Sequence, residues 1–289
     1  MESHTVFMRR CLELAEQGRG KVSPNPLVGC VITHNGEIVA EGWHEALGAR
    51  HAEKIALEKA GAKARGSTLY VNLEPCCRAG RQPPCTEAIL AAGITRVVFG
   101  AADPSNAGGD ILRARGVEVI GGVLAAESRR LNRGFLSVQE QGRPWVTLKC
   151  AQTRDGKIPS SHITSEDQDR WTHTHLRAMH DAILVGSGTV IADNPQLSVR
   201  YSLTPNTYHL SPRRIILDPH HEIPSTARVL TDSDASRTLV IREKLPIAEL
   251  LQRLLGEGIT SILVEGGPRV WKAFEESGCI DETVILRRQ

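Results

Sequence analysis

The chain has 289 residues, 40% of them hydrophobic and 24% charged, with a formal net charge of +2. This length allows two domains of about 140 residues each, and the near-neutral charge gives no polybasic footprint for nucleic acid. No apolar run approaches the roughly 18 residues of a membrane span, Met1-Glu2-Ser3-His4 starts no signal peptide, and seven scattered cysteines suit a reducing cytoplasm.

In chain order, Thr5 to Gly18 reads as an amphipathic helix with Met8, Cys11, Leu12 and Ala15 mostly on one side. Ser23-Pro24-Asn25-Pro26 is a turn whose prolines fix the backbone around Asn25. Val28–Ile32 and Ile38–Gly42 flank Asn35-Gly36, a strong hairpin signal. Trp43 and His44 lie on the loop that leads to a helical run, Ala52 to Ala60, stopped by Gly61. Ser67 to Leu73 reads as a buried strand ending at Glu74-Pro75. A second short helix follows Cys85, its first turn tolerating the preceding prolines. Arg96–Gly100 and Val117–Ile120 are further strands, so strands alternate with helices as in a three-layer α/β domain. Asp103-Pro104-Ser105-Asn106 falls at a strand's carboxyl end, where such sheets place ligand loops. A helix from Ala125 to Phe135 closes the unit, and 139–144 reads as the linker.

The pattern restarts with a strand, Trp145–Ala151, and a turn, Arg154–Lys157. Ser165 caps the next helix, and Gln168 completes a capping box. His173 and His175 are two residues apart, which argues against a metal pair on one helix face. Asp181–Thr189 reads as a buried strand running into a glycine turn; Arg214–Asp218 and Thr238–Ile241 are further strands. Ile262–Pro268 runs from strand through Gly266-Gly267 into a helix, a pattern compatible with a phosphate cradle or with plain packing. No Gly-x-Gly-x-x-Gly fingerprint and no Walker loop is present.

The stretch with the clearest chemistry runs from His51 to Cys85. His51-Ala52-Glu53, then Pro75-Cys76 and Pro84-Cys85, offer one imidazole and two thiolates, enough for a catalytic zinc that keeps a fourth position for water. Glu53 sits two residues from the histidine, free to move a proton, as in zinc-dependent deaminases of cytosine- and adenine-type amidines. Zinc would then lie at two helix N-termini, whose dipoles favour thiolate. The alternatives are a structural zinc knuckle with Cys77 as fourth ligand, or three unrelated buried cysteines. The eight residues between Cys76 and Cys85 exceed the short spacing of structural sites, and Cys77 reads as a pocket wall.

Pro24-Asn25-Pro26-Leu27-Val28-Gly29-Cys30, His51-Ala52-Glu53, Leu73-Glu74-Pro75-Cys76 and Gly80–Cys85 resemble the bifunctional riboflavin-biosynthesis deaminase/reductase family. Asp181–Gly186, Asp193-Asn194-Pro195-Gln196-Leu197 and Val264–Gly267 are similar to its reductase half. The resemblance implies a cytidine-deaminase-like three-layer domain over 1–142 and a dihydrofolate-reductase-like domain over 145–289. It implies deamination of 2,5-diamino-6-(5-phosphoribosylamino)pyrimidin-4-one, then NADPH reduction of the ribosyl group to a ribityl chain. On this mapping zinc takes His51, Cys76 and Cys85, and Glu53 is the catalytic proton shuttle. Asn25 and His44 meet the substrate and Arg81 helps hold its phosphorylated ribose, while Arg78, a departure from the family pattern, is a candidate for the substrate phosphate or ring carbonyl. Lys149, Ser160, Arg177, Leu197, Arg200 and Glu265 meet the sugar substrate. Ala151, His162, Thr189, Asp193, Gly267, Pro268 and Arg269 line the NADPH site. Arg177 and Arg200 suit phosphate because guanidinium pairs with it well. Cys77-Arg78 stands where the family usually has Ser-His, and His162 where it commonly has Trp. The family generally continues for several dozen residues beyond Gln289, so the reductase domain reads as shortened at its C-terminus. A cytoplasmic homo-oligomer, dimer or tetramer, with no nucleic-acid or membrane partner completes the expectation. Competing readings are a deaminase whose second domain is an inactive scaffold, a tailoring deaminase with an altered pyrimidine substrate, and a nucleic-acid-editing module. The last is disfavoured because only 4% of residues are aromatic.

Overall fold

The computed structural model describes residues 2–78, 83–156, 164–201 and 211–287, and the chain forms two compact units, Met1–Gln141 and Gly142–Gln289. The first contains α1 (Glu2–Glu16), β1 (Gly29–His34), β2 (Glu37–Trp43), α2 (Ala52–Ala60), β3 (Thr68–Leu73), α3 (Cys85–Ala91), β4 (Arg96–Ala101), α4 (Gly108–Ala114), β5 (Glu118–Ile120), α5 (Ala125–Leu131) and α6 (Arg133–Gln141). Its sheet has the order β2-β1-β3-β4-β5. β1 is antiparallel to β2 and β3, whereas β3, β4 and β5 run parallel. The hairpin turn at Asn35-Gly36 takes φ of 52° and 84°, the left-handed pair that a tight two-residue connection needs.

Strand alternation makes this unit three layers. Cys30, Ile32, Leu69, Val71, Val97 and Phe99 face one way and pack with Ala52 and Ala56 of α2, Ile89 of α3 and Leu112 of α4. Val31, Tyr70 and Val98 face the other way, against Met8, Cys11 and Leu14 of α1. Successive side chains of a strand point to opposite faces, so one sheet serves two cores. The helix read from Ala125 to Phe135 is two helices meeting at Asn132. The backbone turns there, at φ −103° and ψ 21°, and the Asn132 side chain is tied across the fold: its Oδ1 accepts from Leu27 N at 2.8 Å and its Nδ2 donates to Leu27 O at 2.9 Å. Helix α6 also extends through Gln141, so residues 139–141, read as linker, are helical.

The second unit contains β6 (Trp145–Gln152), α7 (Glu166–Trp171), β7 (Ala182–Gly186), α8 (Ser187–Asp193), β8 (Arg213–Leu217), α9 (Arg228–Thr231), β9 (Thr238–Ile241), α10 (Ile247–Gly256), β10 (Ser261–Val264), α11 (Pro268–Ser277) and β11 (Glu282–Arg287). The sheet order is β11-β6-β10-β7-β8-β9, and every pairing is parallel. All strands therefore present their carboxyl ends at one edge. Val146, Leu148, Leu184, Ile215 and Ile262 pack under α10 and α11, while Ile183, Val185, Ile216 and Leu263 form the opposite core with Leu176 and Val190.

Two elements depart from the sequence reading. Ser187 to Asp193 is helix α8, not a glycine turn. The capping box at Ser165 and Gln168 is present, but the helix changes to a π turn over Thr172–Leu176 and a 3₁₀ turn over Arg177–Met179. Such π segments recur at functional sites.

Candidate active sites

In the first unit, each zinc-candidate side chain stands at the entry of an element. His51 is the N-cap of α2, Cys85 opens α3, and Cys76 follows the carboxyl end of β3. The three ligand atoms lie within 4.8 Å of one another. His51 Nδ1 is 3.3 Å from Cys85 Sγ and 3.5 Å from Cys76 Sγ. A tetrahedral zinc with bonds near 2.3 Å to sulfur and near 2.0 Å to nitrogen has N···S edges of about 3.5 Å, so this donor set fits the ion. Cys77 takes no part. Its backbone N–H and Sγ both point to Asn106 Oδ1, at 3.2 and 3.5 Å, and it is not among the residues lining the cavity.

The electrostatics suit a metal with a proton shuttle. Hydrogen bonding from Cys85, then from His51, brings the Cys76 thiol down to about 4, and Cys85 N donates to its sulfur at 3.3 Å. Glu53 is 4% exposed; burial, then the neighbouring Cys76, raises its carboxyl above the ordinary range. A raised carboxyl is what a group that both takes and returns a proton requires.

Asn25, His44, His51, Glu53, Cys76 and Arg78 line one cavity of about 280 Å³. His44 Nδ1 donates to Arg50 O at 3.1 Å, so Nε2 holds the lone pair and accepts from Asn25 Nδ2 at 3.1 Å. Burial lowers the His44 pKa, which keeps that ring neutral. Several cavity residues carried no assigned role in the sequence reading. Glu74 accepts from Gly109 N at 2.8 Å and Asp103 N at 3.2 Å. Asp103 accepts from Ser105 N and Asn106 Nδ2 at 2.9 and 2.6 Å. The loop after β4 is thereby tied to the turn that carries Cys76. Gly108 permits this approach, since a Cβ there would lie 1.9 Å from Pro75 O. Arg81 lies outside the described residues.

In the second unit a cavity of about 1140 Å³ runs along the carboxyl ends of β6, β10, β7, β8 and β9, where open parallel sheets place ligands. Lys149, Arg177, Leu197, Arg200 and Glu265 line it, as do Ala151, Thr189, Asp193, Gly267, Pro268 and Arg269. Ser160 and His162 lie outside the described residues. Glu265 accepts from Arg177 Nε at 2.7 Å and Nη2 at 2.9 Å, with Lys149 Nζ at 3.7 Å. The double glycine divides its work. A Cβ on Gly266 would meet Val270 Cβ at 2.6 Å, whereas one on Gly267 would find only Thr189 Oγ1, at 3.9 Å. Gly266 is required for packing, and Gly267 faces open space beside Thr189.

Two family models match: the cytidine and deoxycytidylate deaminase zinc-binding region over residues 1–101 and the RibD C-terminal domain over residues 144–287. Riboflavin biosynthesis protein RibD of Aquifex aeolicus is 41% identical, with 97% of this chain and 85% of that protein covered. The chain belongs to the RibD family. The Escherichia coli RibD is 38% identical over 96% of this chain and 86% of its own length. Among solved structures, Acinetobacter baumannii RibD superposes with a TM-score of 0.86 at 36% identity, covering 98% of this chain and 86% of that one. A diaminohydroxyphosphoribosylaminopyrimidine deaminase/5-amino-6-(5-phosphoribosylamino)uracil reductase from Thermotoga maritima gives 0.82 at 37% identity, covering 95% and 84%. The protein is thus an enzyme of riboflavin biosynthesis, with a zinc-dependent deaminase unit and an NADPH-dependent reductase unit. Among the described residues no helix is long and apolar enough to cross a membrane.

Proposed function

We propose that the first cavity deaminates 2,5-diamino-6-(5-phosphoribosylamino)pyrimidin-4-one and that the second reduces the product's ribosyl group to a ribityl chain. The observation carrying this reading is the convergence of His51, Cys76 and Cys85 beside the buried Glu53 carboxyl. Zinc, when bound by those three side chains, supplies Lewis-acid activation of water. Glu53 takes the water's proton, delivers it to the ring nitrogen beside the reacting carbon, and then passes a proton to the departing amino group. The C–N bond breaks as water oxygen replaces nitrogen, so ammonia leaves. Asn25, oriented by His44, meets the pyrimidine edge, while the exposed Arg78 at the cavity rim meets the ring carbonyl or the phosphate; the role assigned to Arg81 is to help hold the phosphorylated ribose.

In the second cavity NADPH supplies the hydride that reaches the anomeric carbon. Lys149, held between solvent and Glu265, is the group placed to give a proton to the sugar oxygen as the ring opens. Ala151, Thr189, Asp193 and Gly267 to Arg269 hold the cofactor; Leu197 contacts the sugar substrate, and Arg177 and Arg200 hold its phosphate. The enzyme acts as a cytoplasmic homo-oligomer without a nucleic-acid partner. Ammonia release and NADPH oxidation, followed separately on the phosphoribosylaminopyrimidine, test the reading. Ammonia without NADPH oxidation removes the second step, and neither signal removes both.

A further inference from the structure

His173 lies in the second cavity with hydrogen bonds that do not close. Its residue is 2% exposed, and the π turn over Thr172–Leu176 carries it. The backbone N–H of Arg200 donates to Nδ1 at 3.0 Å, and an amide N–H can only donate. Nδ1 therefore holds a lone pair. Burial, then the charges of Arg177 and Arg200, brings the ring's pKa down to about 4, with Glu265 and Asp169 acting in the opposite sense. The ring is neutral, and its single proton sits on Nε2. That same nitrogen is 3.3 Å from Arg200 Nε, 3.1 Å from Arg200 Nη2 and 3.4 Å from Arg177 Nη1. All of those are donors. Moving the proton to Nδ1 only transfers the conflict to the Arg200 amide.

The two arginines are not equivalent. Arg177 gives Nε and Nη2 to Glu265, and Nη1 to Ser198 O at 3.2 Å. Arg200 Nε and Nη2 have no bonded acceptor among the described residues except the contested ring nitrogen. Arg200 is exposed, so a ligand can reach it. Arg170 stands over the Tyr201 ring at 4.9 Å, and that ring meets His173 edge-on at 5.4 Å, which adds a further positive charge nearby. A buried imidazole N–H that faces guanidinium donors, with no acceptor for it among the described residues, marks the place of an acceptor, and the surrounding charge makes that acceptor an anion.

We propose that His173 is a phosphate-binding residue of the reductase unit, its Nε2–H and the Arg200 guanidinium together receiving the 5-phosphate of the sugar substrate. The inference rests on reading this cavity as the reductase site. Phosphate offers several acceptor oxygens and pairs with guanidinium in a fork. The substrate's phosphate, not the cofactor's, is assigned because His173 and Arg177 join Glu265 and Lys149 on the β10–β6 side of the cavity.

The test uses the full chain with NADPH, on deaminated substrate with and without its 5-phosphate. His173→Leu should raise KM for the phosphorylated substrate roughly tenfold to a hundredfold, the loss of one hydrogen bond to a charged group. Its kcat should stay within about twofold, and kcat/KM for the dephosphorylated substrate should barely move. His173→Gln, whose amide N–H reaches the Nε2 position, should restore most of the loss. His173→Asn, which keeps only an acceptor for the Arg200 amide, should not. Equal losses on both substrates, or rescue by Asn as good as by Gln, would reduce His173 to a prop for the Arg200 segment and overturn the inference. A rise in KM for NADPH alone would assign the phosphate to the cofactor and overturn it likewise. Titration with ribose 5-phosphate against ribose needs no turnover. Wild type that fails to distinguish the two refutes the phosphate pair, whereas discrimination without NADPH oxidation refutes only the reductase reading.

Discussion

Replacing Glu265 with glutamine removes one negative charge from a buried cluster while leaving its volume nearly unchanged. The Glu265 side chain is 9% exposed and its partner Arg177 14%. Burial pushes the carboxyl up, but Arg177 and then Lys149 outweigh it and hold it down to about 2, against an ordinary 4.5. A depression of about 2.5 units corresponds to about 3 kcal/mol of folding stability at neutral pH, at roughly 1.36 kcal/mol per unit. Breaking one side of a buried ion pair costs about 3–5 kcal/mol in general, so the two estimates agree. For a unit of this size the loss lowers Tm by roughly 6–12 °C. Trp145, Trp171 and Trp271 lie in this unit and only Trp43 in the other, so tryptophan fluorescence reports its melting. Because the folded pKa is depressed, the stabilisation is complete above the ordinary value and disappears as pH falls toward about 2. By pH 3 about 2 of the 3 kcal/mol is gone, and the gap between wild type and Glu265→Gln should narrow accordingly. A gap below about 1 kcal/mol at pH 7, or one that does not change between pH 7 and pH 3, refutes the reasoning. Arg177→Met combined with Glu265→Leu should recover part of the loss, since the buried guanidinium leaves together with its carboxylate and only Lys149 loses its partner.

Glu53→Gln should retain zinc at the wild-type ratio by elemental analysis while ammonia release falls by about 10²–10⁴-fold, the range for a lost general acid–base. Removing zinc with a chelator should abolish ammonia release yet leave NADPH oxidation on already deaminated substrate within about twofold, since among the described residues the candidate metal ligands His51, Cys76 and Cys85 all belong to the first unit. Gly108→Ala should drive a Cβ against Pro75 O, displace the turn bearing Cys76, and lower both zinc retention and Tm. Normal zinc content in that variant would show that the turn accommodates the methyl group.

The parts that were legible in the sequence are those written in short-range pattern. His51, Cys76 and Cys85 each adjoin a helix start or strand end, and Asn35-Gly36 sets the hairpin by backbone conformation alone. Asn132 was not legible as a helix interruption: its backbone still bonds to Ser128 O and Leu136 N in helical spacing, and the partner of its side chain, Leu27, lies 105 residues away. Glu74 is similar: its sequence neighbourhood marks a strand end, but its two bonds go to Asp103 and Gly109, across the fold. The π turn at Thr172–Leu176 has no periodic signature, so helical spacing placed His173 and His175 without showing where each points. In the fold His175 stacks on Trp171 at 5.6 Å while His173 faces Arg200. The Gly266-Gly267 pair left packing and binding open because sequence cannot distinguish two glycines that meet different neighbours.

One rule separates the histidines of the two cavities. His44 has a donor role at Nδ1, filled by Arg50 O, and an acceptor role at Nε2, filled by Asn25. Its bonding is closed, so its effect on a ligand passes through Asn25, whose Nδ2 it fixes; the Asn25 Oδ1 then remains the acceptor for a pyrimidine N–H. His173 has donors on both sides and only one proton to place, so its bonding closes when an anion arrives. Both rings are buried and both are neutral by the same desolvation. The difference lies in what faces the second nitrogen, and it predicts opposite sensitivities. A substitution at His44 should disturb pyrimidine recognition whether or not the substrate carries phosphate, whereas one at His173 should matter only when it does.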